Sequence, residues 1–275
     1  MKTLYVSDMD GTLLQPDQRL SAQTVAMLNQ AIDDGKLFTV ATARTPATVA
    51  PIIRDVRMNL PCIVMTGAAF WDAAANHYSR LNLFKPEVIA QVLDAYRETG
   101  TPTFVYSIAN DKITVRSLGE MTPVQRQFMQ ERATSSFKHF DVDARGHSVF
   151  PERMDDVILL FSMLDNERAE RCYEVAGRIP GARVQIYHDM YGDQTALLDA
   201  FSAESTKANA VKALAAQVGA DRVVCFGDNI NDLPMMRVAD VAVAVENARP
   251  EVLEAADVVI GPNTSDSVAK FILDH

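Results

Sequence analysis

Two groups of carboxylates in this sequence each follow a short apolar stretch that has the character of a β-strand. Asp8 and Asp10 come after the first apolar stretch, and a glycine follows them. Asp228 and Asp232 follow the apolar stretch 223–226 in the same way. In an extended chain, side chains two positions apart leave the same side about 6 to 7 Å from each other, so Asp8 and Asp10 can face one cleft.

The two groups would meet if their strands end in one cleft. In doubly wound sheets, the carboxyl ends of the strands are also where ligands bind. At a spacing near 4 Å, each pair of like charges costs about 4 kcal/mol at an effective dielectric constant of 20. Such a site therefore requires a cation. The groups contain oxygen ligands and neither histidine nor cysteine, which favours a hard divalent ion, Mg²⁺, over zinc.

Each group also has a simpler interpretation when it is taken alone. The segment 8–11 could be an acidic turn, and the segment 227–232 could be a turn with a helix cap. A calcium-binding EF-hand loop is excluded, because the twelfth position counted from Asp8 is Arg19 and not the required glutamate.

Three further residues could supply hydrogen bonds or positive charge to an anion. Thr42 ends a predicted strand, and Arg44 lies beside it. Lys207 lies in the first turn of a predicted helix, where the helix dipole disfavours a cation. Next to strand-end carboxylates this lysine could hold a phosphate. A solvated arginine and an ordinary surface lysine are the simpler alternatives.

These residues lie in two parts of the sequence that alternate apolar strands with amphipathic helices. Ser21 can cap a helix that Gly35 ends, and Pro46 starts the next helix. The alternation predicts an α/β fold, a Rossmann-like doubly wound parallel sheet with helices on both faces. The predicted strands of this core are 4–6, 37–41, 62–65, 223–226, 241–245 and 258–260.

The middle of the chain has a different pattern. Helical stretches alternate with isolated strand-like runs, and Asn110-Asp111 has the character of a hairpin turn. This predicts an α+β domain inserted into the α/β core. The predicted domains are residues 1–82 with 200–275 for the core and residues 83–199 for the insertion.

Taken in order, the candidate residues resemble the four motifs of the haloacid dehalogenase superfamily. The motifs are Asp8-Met9-Asp10-Gly11-Thr12, Thr42 at a strand end, Lys207 at a helix start, and Gly-Asp-x-x-Asn-Asp at 227–232. The position and size of the insertion resemble the Cof-like subclass of sugar-phosphate phosphatases, which carries a large α/β cap (type IIB). The resemblance spans the whole chain.

The resemblance implies a role for each motif residue in phosphoryl transfer. Asp8 would attack phosphorus and form an aspartyl-phosphate, and Asp10 would protonate the leaving oxygen and then activate water. Lys207 would bind the transferring phosphoryl oxygens and restrain Asp8. The residues expected to bind phosphate or the rest of the substrate are Thr42, Ala43, Arg44, Lys207 and Asn231.

The resemblance also implies the metal site. Mg²⁺ would be held by Asp8, Asp228 and the backbone carbonyl of Asp10, with Asp232 in direct or indirect support. Asn231 would orient these ligands. An aspartate at position 10 favours a phosphatase, since the related transport ATPases carry threonine at that position.

Three residues beside the expected phosphate site depart from the usual pattern of the subclass. Ala43 and Ala208 stand where glycine is common, and Thr66 replaces a frequent asparagine. Their methyl groups occupy space where backbone could approach a ligand, which affects substrate fit. The candidates for contact with the leaving group are Arg44, Phe70-Trp71, His188-Asp189 and Tyr191-Gly192-Asp193, with packing or solvation as the alternative for each.

Composition limits the protein class. The sequence has 275 residues and a formal net charge of -10, which argues against general binding of nucleic acid. Its three cysteines form no CxxC pair and are expected to be buried thiols in a reducing compartment. An acidic residue at position 8 is too early for a secretory signal, and the apolar stretches are too short for a bilayer. We expect a cytoplasmic protein without a membrane partner.

The sequence thus predicts a Mg²⁺-dependent phosphatase that hydrolyses small phosphomonoesters, with a small phosphorylated metabolite as its partner. A sugar phosphomutase on the same scaffold is one alternative, because it would return the phosphate to another hydroxyl. A sensor that binds a phosphometabolite and has lost catalysis is another.

Overall fold

The computed structural model describes residues 1–188 and 194–275. These residues form two compact units, one of Met1–Arg80 with Thr206–His275 and one of Leu81–Ser205. The second unit starts slightly before the predicted insertion and ends slightly after it, because it includes the whole of the strand Thr195–Ser202.

A five-stranded parallel sheet forms the centre of the first unit, in the order β14-β13-β12-β1-β2. Most apolar residues of its other strands are buried, as in parallel strands covered by helices, whereas Val258 and Val259 of the edge strand are exposed. The prediction of an α/β fold with a parallel core sheet is therefore confirmed. The strands are β1 (Thr3–Ser7), β2 (Leu37–Val40), β12 (Arg222–Gly227), β13 (Val241–Val245) and β14 (Val258–Ile260).

Helices connect these strands, and their ends follow the sequence signals. The hydroxyl of Ser21 accepts a hydrogen bond from the backbone N–H of Thr24 at the start of the first helix, and Gly219 ends another helix in the left-handed conformation. The helices are α1 (Ala22–Asp33), α2 (Pro46–Ile53), α6 (Lys207–Val218), α7 (Leu233–Met236), α8 (Pro250–Ala255) and α9 (Ser267–Asp274).

The third predicted strand of the parallel core pairs differently from the prediction. β3 (Cys62–Val64) touches the five-stranded sheet through a single parallel bridge, Ala41 to Ile63. It pairs instead in an antiparallel manner with β4 (Ala69–Asp72), and β5 (His77–Leu81) completes a separate three-stranded sheet. The alternating pattern gave no sign of β4 and β5.

The second unit is built on a six-stranded sheet in the order β10-β11-β9-β6-β7-β8. Its hairpin turn at Asn110-Asp111 is confirmed, since both residues have positive φ. The strands are β6 (Thr103–Ala109), β7 (Lys112–Leu118), β8 (Lys138–Phe140), β9 (Val157–Asp165), β10 (Ala182–Tyr187) and β11 (Thr195–Ser202), and the helices are α3 (Pro86–Glu98), α4 (Pro123–Arg132) and α5 (Asn166–Ala176).

Helices α3 and α5 pack against one face of this sheet and form its apolar core, which includes Val105, Leu160 and Leu198. All three cysteines of the chain are buried free thiols. Within the described ranges, no helix combines the length and the apolar character that crossing a membrane requires.

Candidate active site

Asp8 lies directly beyond the end of β1, which runs between β12 and β2 in the parallel sheet. Ser7 pairs with Phe226 of the adjacent strand β12, and the backbone N–H of Asp8 donates to the carbonyl of Phe226 over 3.0 Å. The side chain of Asp8 is buried. The ends of β1 and β12 are therefore adjacent, as the sequence predicts for the two carboxylate groups.

Three carboxylates meet at these strand ends. Asp8, Asp228 and Asp232 each offer one oxygen, and these oxygens lie within 4.8 Å of one another. Asp10, the fourth expected member, does not belong to this group of side chains, because the chain turns away through Met9–Leu13.

Lys207 neutralises part of this charge from the first turn of α6. Its ammonium lies 2.5 Å from Oδ1 of Asp8 and 2.7 Å from Oδ1 of Asp232, and the side chain is only 3% exposed. Burial opposes the charged form of Lys207, but the two carboxylates outweigh burial and raise its pKa. The helix dipole disfavours a cation at this position, so the ion pairs and not the helix account for its location.

Burial raises the pKa of Asp8 to about 7, although Lys207 acts in the opposite direction and the neighbouring Asp232 and Asp228 add to the rise. Burial also raises the pKa of Asp228, while a hydrogen bond from Thr12 opposes the rise. A second positive charge at this cluster would therefore favour its ionised form.

The turn after β12 orients the two later carboxylates. Oδ2 of Asp232 accepts the backbone N–H groups of Asp228 and Asn229, each over 3.2 Å. The hydroxyl of Thr12 donates to Oδ1 of Asp228 over 2.7 Å. The sequence motif includes Thr12, but the spacing of the motif did not indicate that the Thr12 hydroxyl would bind the carboxylate of Asp228, which follows another strand.

Glycine is required where the first motif approaches the second. Gly11 has φ of +79°, and a Cβ built on it would lie 2.5 Å from Oδ2 of Asp228. Gly227 is equally close, since its Cβ would lie 2.6 Å from the Cβ of Asp232. Because these two positions carry no Cβ, the backbone can approach Asp228 and Asp232 closely enough for their carboxylates to lie near Asp8.

Arg44 binds Asp10 instead of standing free for a ligand. Its Nε donates to Oδ2 of Asp10 over 2.8 Å, and its Nη2 donates to Oδ1 over 2.6 Å. The same Nη2 donates to Oε1 of Gln18 over 2.9 Å. The expectation that Arg44 contacts the substrate stays a prediction, and the side chain of Asp10 pairs with Arg44 outside the group of Asp8, Asp228 and Asp232.

Thr42 is buried at the end of β2. Its hydroxyl accepts the backbone N–H of Arg44 over 3.1 Å, and its carbonyl accepts the N–H of Thr66. Thr66 has φ of +57°, and its buried hydroxyl has no hydrogen-bond partner within the residues that the structure describes. Ala43, which follows Thr42, is exposed. The hydrogen bond between Thr42 and Thr66 joins the segment after β2 to the segment after β3.

The remaining predicted site residues lie in different surroundings. Asn231 is exposed in the turn Ile230–Asp232. Phe70 and Trp71 are buried within β4, which fits the packing alternative. His188 is exposed near Glu170 in the second unit, whereas Asp189 and Tyr191-Gly192-Asp193 lie outside the described residues.

The donor set suits a hard divalent cation. Asp8, Asp228 and Asp232 supply only carboxylate oxygens, and magnesium and calcium prefer such ligands. The described part of the chain places neither histidine nor cysteine in this group. These residues therefore fit a hard divalent cation, the class of metal that the sequence predicts.

A family model described as haloacid dehalogenase-like hydrolase matches residues 5–272. The chain belongs to this family. The predicted superfamily and the prediction that the protein is a hydrolytic enzyme are thus confirmed.

Similar proteins cover nearly the whole chain. The 5-amino-6-(5-phospho-D-ribitylamino)uracil phosphatase YwtE of Bacillus subtilis is 27% identical over 99% of this chain and 97% of its own length. The pyridoxal phosphate phosphatase YbhA of Escherichia coli is 25% identical over 98% of this chain and 96% of its own. A solved sugar phosphatase of superfamily subclass IIB is 20% identical, with a TM-score of 0.69 over 99% of this chain and 98% of that one. This last likeness concerns the fold alone.

Proposed function

We propose that this protein is a Mg²⁺-dependent phosphatase that hydrolyses small phosphomonoesters, sugar phosphates among them. The observation that carries the proposal is the buried ion pair of Lys207 with Asp8 and Asp232, next to Asp228. The phosphatase names of full-length relatives support hydrolysis of a phosphate ester. Those relatives act on different phosphorylated compounds, so their names do not select one substrate.

In this proposal Asp8 is the nucleophile. One of its carboxylate oxygens forms a bond to phosphorus while the ester bond from phosphorus to the leaving oxygen breaks, which produces an aspartyl-phosphate. Asp10 donates a proton to the leaving oxygen, which departs as an alcohol. Asp10 then removes a proton from water, the water oxygen bonds to phosphorus, and the bond to Asp8 breaks to release inorganic phosphate.

Lys207 has two tasks in this scheme. Its contact with Oδ1 of Asp8 fixes the orientation of the nucleophile and keeps it ionised. Its positive charge also stabilises the negative phosphoryl oxygens as charge develops on them. We assign Thr42, Ala43 and Asn231 to the same phosphoryl group, because Thr42 and Ala43 lie at the end of β2 and Asn231 lies in the turn after β12.

We assign the metal to Asp8, Asp228 and the backbone carbonyl of Asp10, with Asp232 in support. A bound Mg²⁺ would neutralise phosphoryl charge and would offset the repulsion among the three carboxylates. Thr12 contributes by fixing Oδ1 of Asp228. The second unit, Leu81–Ser205, would select the leaving group in this scheme.

Phosphate release from a panel of phosphorylated metabolites tests the proposal. We expect the wild-type protein to release inorganic phosphate with Mg²⁺, to lose this activity with a chelator, and to recover it when Mg²⁺ is restored. Asp8→Asn should abolish turnover. Asp94→Asn is the matched control, because Asp94 is an exposed carboxylate in an ion pair on α3, and it should retain full activity.

Three outcomes would contradict the proposal. Full activity of Asp8→Asn would exclude the nucleophile. Conversion of one sugar phosphate to its isomer without proportional phosphate release would identify a phosphomutase. Tight binding of one metabolite without turnover of any would identify a sensor.

A further inference from the structure

Arg44 holds the carboxylate of Asp10 by two parallel hydrogen bonds. Nε and Nη2 donate to the two different oxygens of Asp10, over 2.8 and 2.6 Å. This two-point geometry fixes the plane of the carboxylate as well as its position, which a single ion pair does not. The orientation of Asp10 is therefore set by Arg44.

Arg44 is itself anchored at two other points. Its Nη2 donates to the side-chain oxygen of Gln18 over 2.9 Å, and its backbone N–H donates to the hydroxyl of Thr42 over 3.1 Å. Gln18 lies in a turn closed by hydrogen bonds from its own N–H to the carbonyl of Gln15 and from Gln15 N–H to the carbonyl of Arg19. The guanidinium thus connects this turn to Asp10, and the backbone of Arg44 fixes it to Thr42 beyond β2.

Three of the five N–H groups of the guanidinium are occupied in this way, namely the one on Nε and the two on Nη2. The side chain of Arg44 is 18% exposed, whereas that of Asp10 is 52% exposed. The arginine is therefore the enclosed partner, and the carboxylate is the group that remains open to a ligand. This arrangement suits a support for Asp10 better than a direct ligand for phosphate.

We infer that Arg44 is a positioning residue that orients Asp10 for proton transfer to the leaving oxygen. The inference rests on the proposed function, in which Asp10 is the proton donor. It replaces the sequence-based expectation that Arg44 binds the substrate. The two interpretations differ in a measurable way, because a positioning residue has no effect once the residue it positions is absent.

A pair of substrates with different leaving groups provides the first test. Proton donation matters most for a poor leaving group, such as the alkoxide of a sugar phosphate, and little for p-nitrophenolate. We expect Arg44→Ala to lower kcat/KM for the sugar phosphate by about 10 to 100-fold, within the range of general acid catalysis. We expect the same substitution to lower kcat/KM for p-nitrophenyl phosphate by less than about threefold. The ratio kcat/KM reports steps up to transfer to Asp8, so later hydrolysis does not mask the effect.

A double-mutant cycle provides the second test. Asp10→Ala should show the same preference for the good leaving group, and Asp10→Ala with Arg44→Ala should be no slower than Asp10→Ala alone. Arg44→Lys retains the charge but not the two-point contact, so it should fall between wild type and Arg44→Ala. The control is Arg54→Ala, since Arg54 is an exposed arginine paired with Asp55 just after α2.

The outcomes separate this inference from the proposed function. The inference is overturned if the wild type is active but Arg44→Ala lowers kcat/KM for both substrates equally. It is also overturned if the two single effects on kcat/KM multiply in the double variant, because Arg44 then acts on the substrate. In that case the phosphatase proposal stands. If the wild type hydrolyses neither ester, both fail. Thermal unfolding of each variant shows whether a loss of activity is a loss of folded protein.

Discussion

Two buried lysines, one in each unit, lie in opposite electrostatic surroundings. Lys207 in the first unit is 3% exposed and contacts Asp8 and Asp232. Lys138 on β8 in the second unit is 6% exposed, and its ammonium lies 5.0 Å from the ring centre of Phe128 and 5.5 Å from that of Tyr106. Within the described residues, no carboxylate forms an ion pair with it.

The consequence for the two ammonium groups is opposite in sign. The carboxylates raise the pKa of Lys207 against the effect of burial. Burial, together with the nearby positive charge of Arg132, lowers the pKa of Lys138 to about 8. Aromatic rings attract a cation, but this attraction does not compensate for the hydration that the buried ammonium loses, whereas two carboxylates do. Burial alone therefore does not determine whether a lysine keeps its charge, because ionised partners can reverse its effect on the pKa.

Removal of the charge at Lys207 should have the largest effect. We expect Lys207→Met to lower kcat by at least about 100-fold, the typical cost of losing one preorganised electrostatic contact. It should also destabilise the fold by about 3 kcal/mol or more, because two buried carboxylates lose their counter-ion. Phosphate release and urea unfolding measure the two effects.

The control for this variant lies on the same helix. Lys212 is exposed on α6, so Lys212→Met should change neither activity nor stability appreciably. Equal effects of the two substitutions would remove the distinction between a paired lysine and a surface lysine.

Lys138→Met should stabilise the protein near neutral pH. With a folded pKa of about 8 against 10.5 for the free group, the unfolded chain binds more protons between these values. Stability of the wild type therefore rises with pH across this window, by about 3 kcal/mol at 1.36 kcal/mol per pH unit. Below pH 8 the wild type carries the full cost of the buried charge.

Urea unfolding of wild type and Lys138→Met at pH 7 and pH 10 checks this sign. We expect the variant to be more stable at pH 7, and we expect most of this difference to disappear by pH 10. A stability difference that stays constant with pH would mean that the rings and not the charge state determine the energetics at Lys138.

Substitution of two glycines should have the smallest effect on stability. The comparison also shows how closely the residues around Asp8, Asp228 and Lys207 are packed. Gly11 and Gly35 both have positive φ, but a Cβ meets Asp228 only at Gly11 and meets nothing within 4 Å at Gly35. Each substitution by alanine should cost about 1 kcal/mol for the backbone. Only Gly11→Ala should also lower activity, by displacing Asp228, and equal kcat values for the two variants would contradict this.

The proximity of Asp8, Asp228 and Lys207 could be predicted from the sequence for a physical reason. Asp8 and Asp228 directly follow apolar strands, and parallel strands end at a common edge, so their proximity follows from sheet geometry. Lys207 stood out because a cation at a helix start is unfavourable. The α/β core could be predicted for the same reason, since its strands are apolar and its helices carry clear caps.

Other features depend on long side chains or short elements and could not be predicted. The contacts of Arg44 with Asp10 and Gln18 join three separate segments, and no spacing rule encodes such a pairing. Strands β4 and β5 have no alternation that separates them from a loop. The sequence carries no signal for the burial of Lys138, because that burial follows from the tertiary packing of aromatic rings around it.

The most direct test of the central claim is to identify the phosphorylated residue. Asp10→Asn lacks the base for the second step, whereas the first step needs little proton donation when the leaving group is p-nitrophenolate. The aspartyl-phosphate should therefore accumulate when this variant meets p-nitrophenyl phosphate and Mg²⁺ and is quenched in acid. We expect mass spectrometry of the peptides to locate one added phosphoryl group on Asp8, and we expect none in Asp8→Asn/Asp10→Asn. Phosphate release by the wild type with no modified Asp8 peptide, or with the phosphoryl group on another residue, would contradict the account.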